Sequence, residues 1–116
     1  MMNERAPIAV SIEVLRWDED RDGRVSEAAL RGRLEALGYD VARYAYPPGT
    51  HFPTHMHDVD KIDAVLSGTF RLVVNGEEVV LGPGDSVVVP RGVRHSATVV
   101  GTEPVVSLDA VRLSRA

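Results

Sequence analysis

Cysteine, long apolar runs and clustered positive charge are all absent from this sequence of 116 residues. The lack of cysteine excludes disulfide bonds, thiolate metal ligands and cysteine nucleophiles together. No apolar run approaches the roughly 20 residues that a helix needs to span a bilayer. Residues 1–7 predict a loose leader without the apolar core of a signal peptide. We therefore expect a cytoplasmic protein that has no membrane partner.

The few basic residues argue against binding to nucleic acid. The formal net charge is -4 and the pI is near 5.5, whereas recognition of a phosphate backbone requires a clustered basic surface. Arg24, Arg31 and Arg33 stand closest together, and Glu27 and Glu35 are interleaved with them. This mixture of charges is typical of a solvated helix face. We expect no nucleic-acid partner.

Length and composition predict one folded domain over residues 1–116. Apolar residues make up 44% and charged residues 26% of the sequence, which is typical of a soluble globular chain. The pattern of the sequence changes near residue 40. We expect a strand and a helix as an N-terminal extension over residues 1–40, and a β-barrel core over residues 41–113.

The N-terminal extension begins with a predicted strand and an acidic turn. Apolar residues alternate over residues 8–15, and a period of two favours a strand. Residues 18–25 match the first eight positions of a calcium-binding loop, but Ala29 stands where such a loop carries a bidentate Glu. We interpret the acidic segment as a turn that leads into a helix.

A helix is predicted over residues 27–37, with Ser26 as its N-cap and Gly38 as its terminator. Leu30, Leu34 and Leu37 are spaced so that they form one apolar stripe on this helix. The stripe is expected to pack on the barrel or on a partner subunit.

From residue 41 onward, short apolar runs are separated by turn residues. Asn75-Gly76 is a strong hairpin signal, because both central residues of a type I′ turn require positive φ. Many short strands at this spacing predict a mainly β fold, either a sandwich or a barrel. The expected strands lie at about 41–46, 54–57, 61–67, 69–75, 77–82, 86–89, 94–100 and 105–113.

Three histidines from two distant parts of the chain are the candidate site. His55 and His57 are two positions apart, so on a strand their side chains share one face. Two neutral imidazoles placed in this way are able to occupy adjacent positions of a divalent metal ion, and His95 supplies a third if the fold brings it across. The spacing alone leaves a metal site and a polar ligand site open. His51 lies in the preceding turn, and we interpret it as a surface residue.

The same region resembles the two signature motifs of the cupin superfamily. The first motif matches at Gly49, His55, His57 and Gly68. The second motif matches without a gap at Gly84, Pro90, Gly92 and His95. The resemblance covers roughly residues 41–110 and implies a cupin-type antiparallel β-barrel, that is, a jelly roll or double-stranded β-helix. It also implies that His55, His57 and His95 are metal ligands.

The sequence departs from the family's pattern at the fourth ligand, where Lys61 stands in place of a Glu; Val99 replaces the Asn of the second motif. A protonated lysine beside a divalent cation is repelled. Three alternatives stay open. The histidines bind the metal while Asp63 neutralises Lys61 or ligates the ion, with Asp58 and Asp60 also nearby. Lys61 is a neutral amine that acts as base or nucleophile. The pocket binds an anionic small molecule without metal.

Two functions are compatible with these residues. One is a metal-dependent cupin that acts on a small organic molecule, with Fe, Mn, Ni or Zn held by the three histidines. The other is a metal-free, non-catalytic module that binds or senses a small ligand, which Lys61 and the short chain favour. The resemblance further implies a homodimer, and the strand at 8–15 and the helix at 27–37 are the expected contacts.

Overall fold

The computed structural model describes residues 12–113, which contain two helices and nine strands. No helix in this range is long and apolar enough to cross a membrane. The helices are α1 (Glu19–Asp22) and α2 (Glu27–Ala36). The strands are β1 (Glu13–Leu15), β2 (Asp40–Tyr46), β3 (His51–His55), β4 (Asp60–Ser67), β5 (Thr69–Val74), β6 (Glu77–Leu81), β7 (Ser86–Val89), β8 (His95–Val100) and β9 (Val105–Arg112).

The strands form two antiparallel sheets with strand orders β1-β7-β4-β9-β2 and β3-β8-β5-β6. Strands β4 and β9 lie at the centre of the five-stranded sheet and pair along most of their length. Strands β3 and β8 pair in the four-stranded sheet, so the two sequence motifs are neighbours in space. The mainly β, jelly-roll architecture that the sequence predicts is confirmed.

The main core lies between the two sheets and is built from strand residues that alternate in burial. Along β8, for example, His95, Ala97 and Val99 are buried while the residues between them are half exposed. Period-two burial follows from the pleat of a strand that has one face on a core. The buried members of this core are Val65, Phe70, Leu72, Val74, Val79, Leu81, Val87, Val89, Ala97, Val99 and Val105.

A second core lies between α2 and the outer face of the five-stranded sheet. Leu30 and Leu34 of the helix are fully buried. They belong to one apolar cluster with residues of β4 and β9, among them Ile62, Ala64 and Leu108. The two leucines thus fill a place in their own chain and do not require a partner subunit to cover them.

The predicted helix is one residue too long, and its third leucine is exposed. Ser26 caps α2 as expected, because its hydroxyl accepts a hydrogen bond from the Ala29 N–H at 3.1 Å. The helix ends at Ala36, and Gly38 with φ of 90° turns the chain toward β2. Leu37 lies beyond the helix end and is 48% exposed. The stripe therefore consists of two buried leucines rather than three.

The segment before α2 is a structural anchor and not a calcium loop. Asp18 caps the short helix α1 by accepting a hydrogen bond from the Asp20 N–H. The Asp22 carboxylate pairs with Arg21 at 2.8 Å and with Arg33 at 3.0 Å. These partners, Arg21 foremost, hold the pKa of Asp22 well below its usual range. The Asp18 and Asp22 carboxylates are thus committed to local structure.

Trp17 locks this segment onto the barrel. Its indole N–H donates to the Gly23 carbonyl at 2.8 Å, and the Arg33 guanidinium lies 4.4 Å above the ring. A Cβ added to Gly84 would lie 2.4 Å from Trp17 Cβ, so only glycine permits this approach. Strand β1 covers Glu13–Leu15 of the strand predicted at 8–15, and residues 8–11 lie outside the described residues.

Candidate metal centre in the barrel

The candidate site is built where the ends of β3 and β8 meet. His55 is the last residue of β3 and pairs directly with His95, the first residue of β8. His57 lies two residues beyond β3, and not within a strand as predicted. Its carbonyl accepts a hydrogen bond from the Gly92 N–H at 2.8 Å, which ties the loop after β3 to the turn before β8. The fold therefore brings His95 across to the His-x-His pair.

The three imidazole rings face one another at contact distance. The ring centroid of His55 lies 4.8 Å from that of His57 and 4.3 Å from that of His95. The His57 and His95 centroids are 5.1 Å apart. One ligand nitrogen from each ring lies within 4.8 Å of the others. This convergence of three side chains on one point confirms the spatial prediction made from the sequence.

Backbone carbonyls fix two of the rings in the orientation that a metal ligand requires. Nδ1 of His55 lies 2.6 Å from the Pro53 carbonyl oxygen, and Nδ1 of His95 lies 3.0 Å from that of Val93. A carbonyl accepts only, so in the neutral form of each ring Nδ1 carries the proton and Nε2 keeps its lone pair. Nε2 of His57 is buried and has no hydrogen-bond partner among residues 12–113. Such a donor set fits a divalent ion.

Burial favours the neutral, metal-binding form of His57 and His95. Desolvation lowers the pKa of His57, and the charge of Lys61 lowers it further. Desolvation is also the main cause of the lowered pKa of His95. Neutral rings at physiological pH are available as ligands without first releasing a proton.

Lys61 pairs with Asp63 on the same face of β4. Its Nζ lies 3.3 Å from Asp63 Oδ1, and both side chains are largely buried. The geometry is that of an ion pair without a hydrogen bond, since Asp63 Oδ1 has no hydrogen-bond partner among the described residues. Of the alternatives raised by the sequence, pairing of Lys61 with a carboxylate is the one that this geometry matches.

Sequence reasoning missed a second carboxyl group, Asp109, and its partner Tyr46. Asp109 of β9 stands directly opposite Asp63 in the β4–β9 register. The Tyr46 hydroxyl donates to Asp109 Oδ2 at 2.9 Å, and the Ser107 hydroxyl donates to Oδ1 at 2.5 Å. Burial raises the pKa of Asp109, and the nearby charge of Asp63 raises it further. In the sequence, the signal for Asp109 is a single carboxyl side chain within a largely apolar predicted strand.

These groups line one cavity of about 240 Å³ inside the barrel. The histidines come from the β3–β8 side, and the two aspartates and Lys61 come from β4 and β9 on the facing sheet. Aromatic rings form the remaining wall, with Tyr46 and Phe52 in edge contact at 4.9 Å between centroids. The lining residues are Tyr46, Phe52, His55, His57, Lys61, Asp63, Phe70, His95, Ala97 and Asp109.

Two other residues considered from the sequence have structural contacts instead. His51 is exposed, and its Nδ1 lies 2.8 Å from the Thr98 hydroxyl, outside the cavity. The Asp60 carboxylate accepts from the Arg91 N–H at 2.9 Å and pairs with Arg112 at 3.2 Å. Asp60 therefore ties the strand ends together and is not directed at the three histidines.

Comparison with known proteins places this site in a family. Residues 42–111 match the family described as Cupin domain. A nitrosourea synthase from Streptomyces achromogenes subsp. streptozoticus is 32% identical over 88 residues, which are 75% of this chain and 18% of that protein. The chain thus spans less than a fifth of the length of this relative.

Solved structures agree on the fold. The RmlC-like cupin from Shewanella frigidimarina NCIMB 400 is 26% identical, with a TM-score of 0.59 over 66% of this chain and 68% of that chain. KdgF from Halomonas sp. is 26% identical, with a TM-score of 0.55 over 65% and 71%. The Cnp3 cupin domain of Schizosaccharomyces pombe, at 19% identity and a TM-score of 0.61 over 66% and 56%, shares the fold. With its two facing sheets and its match over residues 42–111, this chain belongs to the cupin family.

Proposed function

We propose that this chain is a metal-binding cupin in which His55, His57 and His95 hold one divalent ion, and that it acts on a small organic molecule in the adjoining cavity. The observation that carries the proposal is the orientation of the rings. Two Nδ1 atoms are engaged by carbonyls and a buried His57 Nε2 has no other partner among the described residues, so three lone pairs are left for one ion.

An ion held by the three histidines would supply a Lewis acid able to polarise a substrate atom. The chain itself supplies the rest of the environment. Lys61 and Asp63 place a paired charge beside the histidines, and the aromatic rings of Tyr46, Phe52 and Phe70 form an apolar part of the cavity wall. The likeness to a nitrosourea synthase supports action on a small molecule, and nothing more specific.

A metal measurement with a matched histidine control tests the proposal. Protein made without a histidine tag is loaded with Fe, Mn, Ni or Zn separately, desalted, and analysed for metal per chain. We expect close to one ion per chain, a loss of that ion in His57→Ala, and no loss in His51→Ala, because His51 lies outside the cavity. Equal binding by the wild type and His57→Ala contradicts the proposal.

The second candidate function is a metal-free module that binds a small ligand. The presence of Lys61 in the cavity favours it, because an ammonium group near the histidines opposes a dication. A chain that takes up no ion after loading with each metal, yet binds small molecules in the cavity, supports this alternative.

A further inference from the structure

A second cavity adjoins the one that contains the histidines. It has a volume of about 330 Å³ and lies along β2, past the exposed residues Ala42 and Tyr44. Lys61 and Asp109 line both cavities, so the two cavities share part of their lining surface. A ligand that extends from the first cavity into the second would lie beside Asp109.

Carboxyl groups outnumber cations along this surface. Besides the histidines, its ionisable acids and bases are Asp40, Asp63 and Asp109 against Lys61 alone. Lys61 is already paired with Asp63 at 3.3 Å. Asp109, opposite Asp63, accepts hydrogen bonds only from neutral hydroxyl groups within the described part of the chain, those of Tyr46 and Ser107. Among residues 12–113, no basic side chain forms a direct ion pair with Asp109.

Hydrogen bonding points to the same missing group. A carboxylate oxygen accepts two hydrogen bonds, and Asp63 Oδ1 is buried with none from residues 12–113. Burial and the charge of Asp63 raise the pKa of Asp109 despite the opposing charge of Lys61, and a cation bound directly at Asp109 would favour its carboxylate form. A ligand that carries N–H donors and a positive charge would supply both a hydrogen bond to Asp63 and a cation that pairs with Asp109.

The aromatic wall favours the same kind of ligand. Tyr46 hydrogen bonds to Asp109, and its ring centroid lies 4.9 Å from that of Phe52 and 6.0 Å from that of Phe70. Aromatic faces attract cations when the cation is removed from water. A cation at Asp109 would lie beside these rings.

We propose that the site takes a small molecule with a protonated nitrogen group, an amine or a guanidine, which Asp109 and Asp63 hold while the rest of the molecule extends toward the three histidines. This inference rests on the proposed function, since it names the substrate class of the same cavity. It assigns to Asp109 a direct contact with the ligand, which no sequence motif indicates.

A set of probes of one size tests the proposal on the wild type. The dissociation constants of n-butylamine and n-butylguanidine are compared with those of 1-butanol and butyrate by NMR titration of the EDTA-treated protein. A charge-assisted contact with a buried carboxylate predicts that the cations bind about tenfold tighter than 1-butanol, and that butyrate binds weakest. If 1-butanol or butyrate binds as tightly as the cations, the proposal is overturned.

Two aspartate variants assign the contact. Asp109→Asn is expected to reduce cation affinity about tenfold and to leave the affinity for 1-butanol unchanged. Asp20→Asn removes the same charge at an exposed position of α1 and is expected to change neither. Unchanged cation affinity in Asp109→Asn overturns the assignment. If Asp109→Asn does not fold, the ranking of the four dissociation constants on the wild type still shows whether the site prefers cations.

The design separates this inference from the proposed function, because the probes are titrated without metal. A chain that prefers the cations but takes up no divalent ion contradicts the metal centre alone. A chain that takes up one ion at the histidines but does not prefer the cations contradicts the cation-binding surface alone.

Discussion

Truncation of one buried leucine of α2 tests whether the helix belongs to the core of its own chain. Leu34 is fully buried between α2 and the sheet, among Ile62, Ala64 and Leu108. Buried Leu→Ala substitutions cost about 2–5 kcal/mol, because the transfer free energy and a cavity term add. We expect Leu34→Ala to lower the free energy of unfolding by about 3 kcal/mol, a large part of the ~5–15 kcal/mol that such a domain possesses.

Leu37→Ala is the matched control, since Leu37 is 48% exposed only three positions along the chain. Its cost is expected to stay within about 0.5 kcal/mol. Urea unfolding followed by circular dichroism measures both. With a slope of about 1.5 kcal/mol per molar, the midpoint of Leu34→Ala falls by about 2 M and that of Leu37→Ala hardly moves. Equal losses in the two variants would refute the reasoning and would mean that a partner covers Leu37.

Two further predictions concern the histidines and the anchoring tryptophan. Burial lowers the pKa of His57 and His95, so below about pH 6.5 the unfolded chain binds more protons than the folded chain does. In EDTA, the free energy of unfolding should therefore keep its full value above about pH 6.5 and decrease as the pH falls toward about 5. Across this pH range, the urea midpoint should decrease less in the double variant His57→Gln/His95→Gln than in the wild type. An equal decrease in the two proteins would contradict the explanation. Gly84→Ala should destabilise by about 1–3 kcal/mol more than Gly101→Ala, since both have positive φ but only Gly84 contacts Trp17. Thermal unfolding followed by tryptophan fluorescence compares the two, and equal melting temperatures would disprove the Trp17 contact.

Much of the barrel could be predicted because its turns are marked by residues with special backbone requirements. Asn75 and Gly76 have φ of 51° and 83°, as the type I′ hairpin requires. Gly68 also has positive φ, and a Cβ there would lie 2.3 Å from the Pro104 carbonyl oxygen. These positions punctuate the chain, so the strands between them follow from the sequence with errors of a few residues.

The candidate site could be predicted in part. The histidines carry their signal in local spacing and in the family resemblance, whereas Asp109 becomes a neighbour of Asp63 only through the pairing of β4 with β9. Nothing in a single sequence states which strands pair across so many residues. Leu37 was misassigned for a related reason, since the i, i+7 spacing does not reveal that the helix ends at Ala36.

The two faces of β4 contact different parts of the molecule, so substitutions on the two faces have different effects. Lys61 and Asp63 point into the cavity, while Ile62 and Ala64 belong to the cluster under α2. A slip of β4 by a single residue would expose Ile62 to the ligand and bury a charge beneath the helix. The packing of α2 on the opposite face of the sheet therefore stabilises the register that places Lys61 and Asp63 in the cavity. Substitutions on the cavity face of β4 can change the chemistry of the site while the strand keeps its register. Loss of the packing of α2, in contrast, would displace Lys61 and Asp63 although no residue of the cavity had been changed.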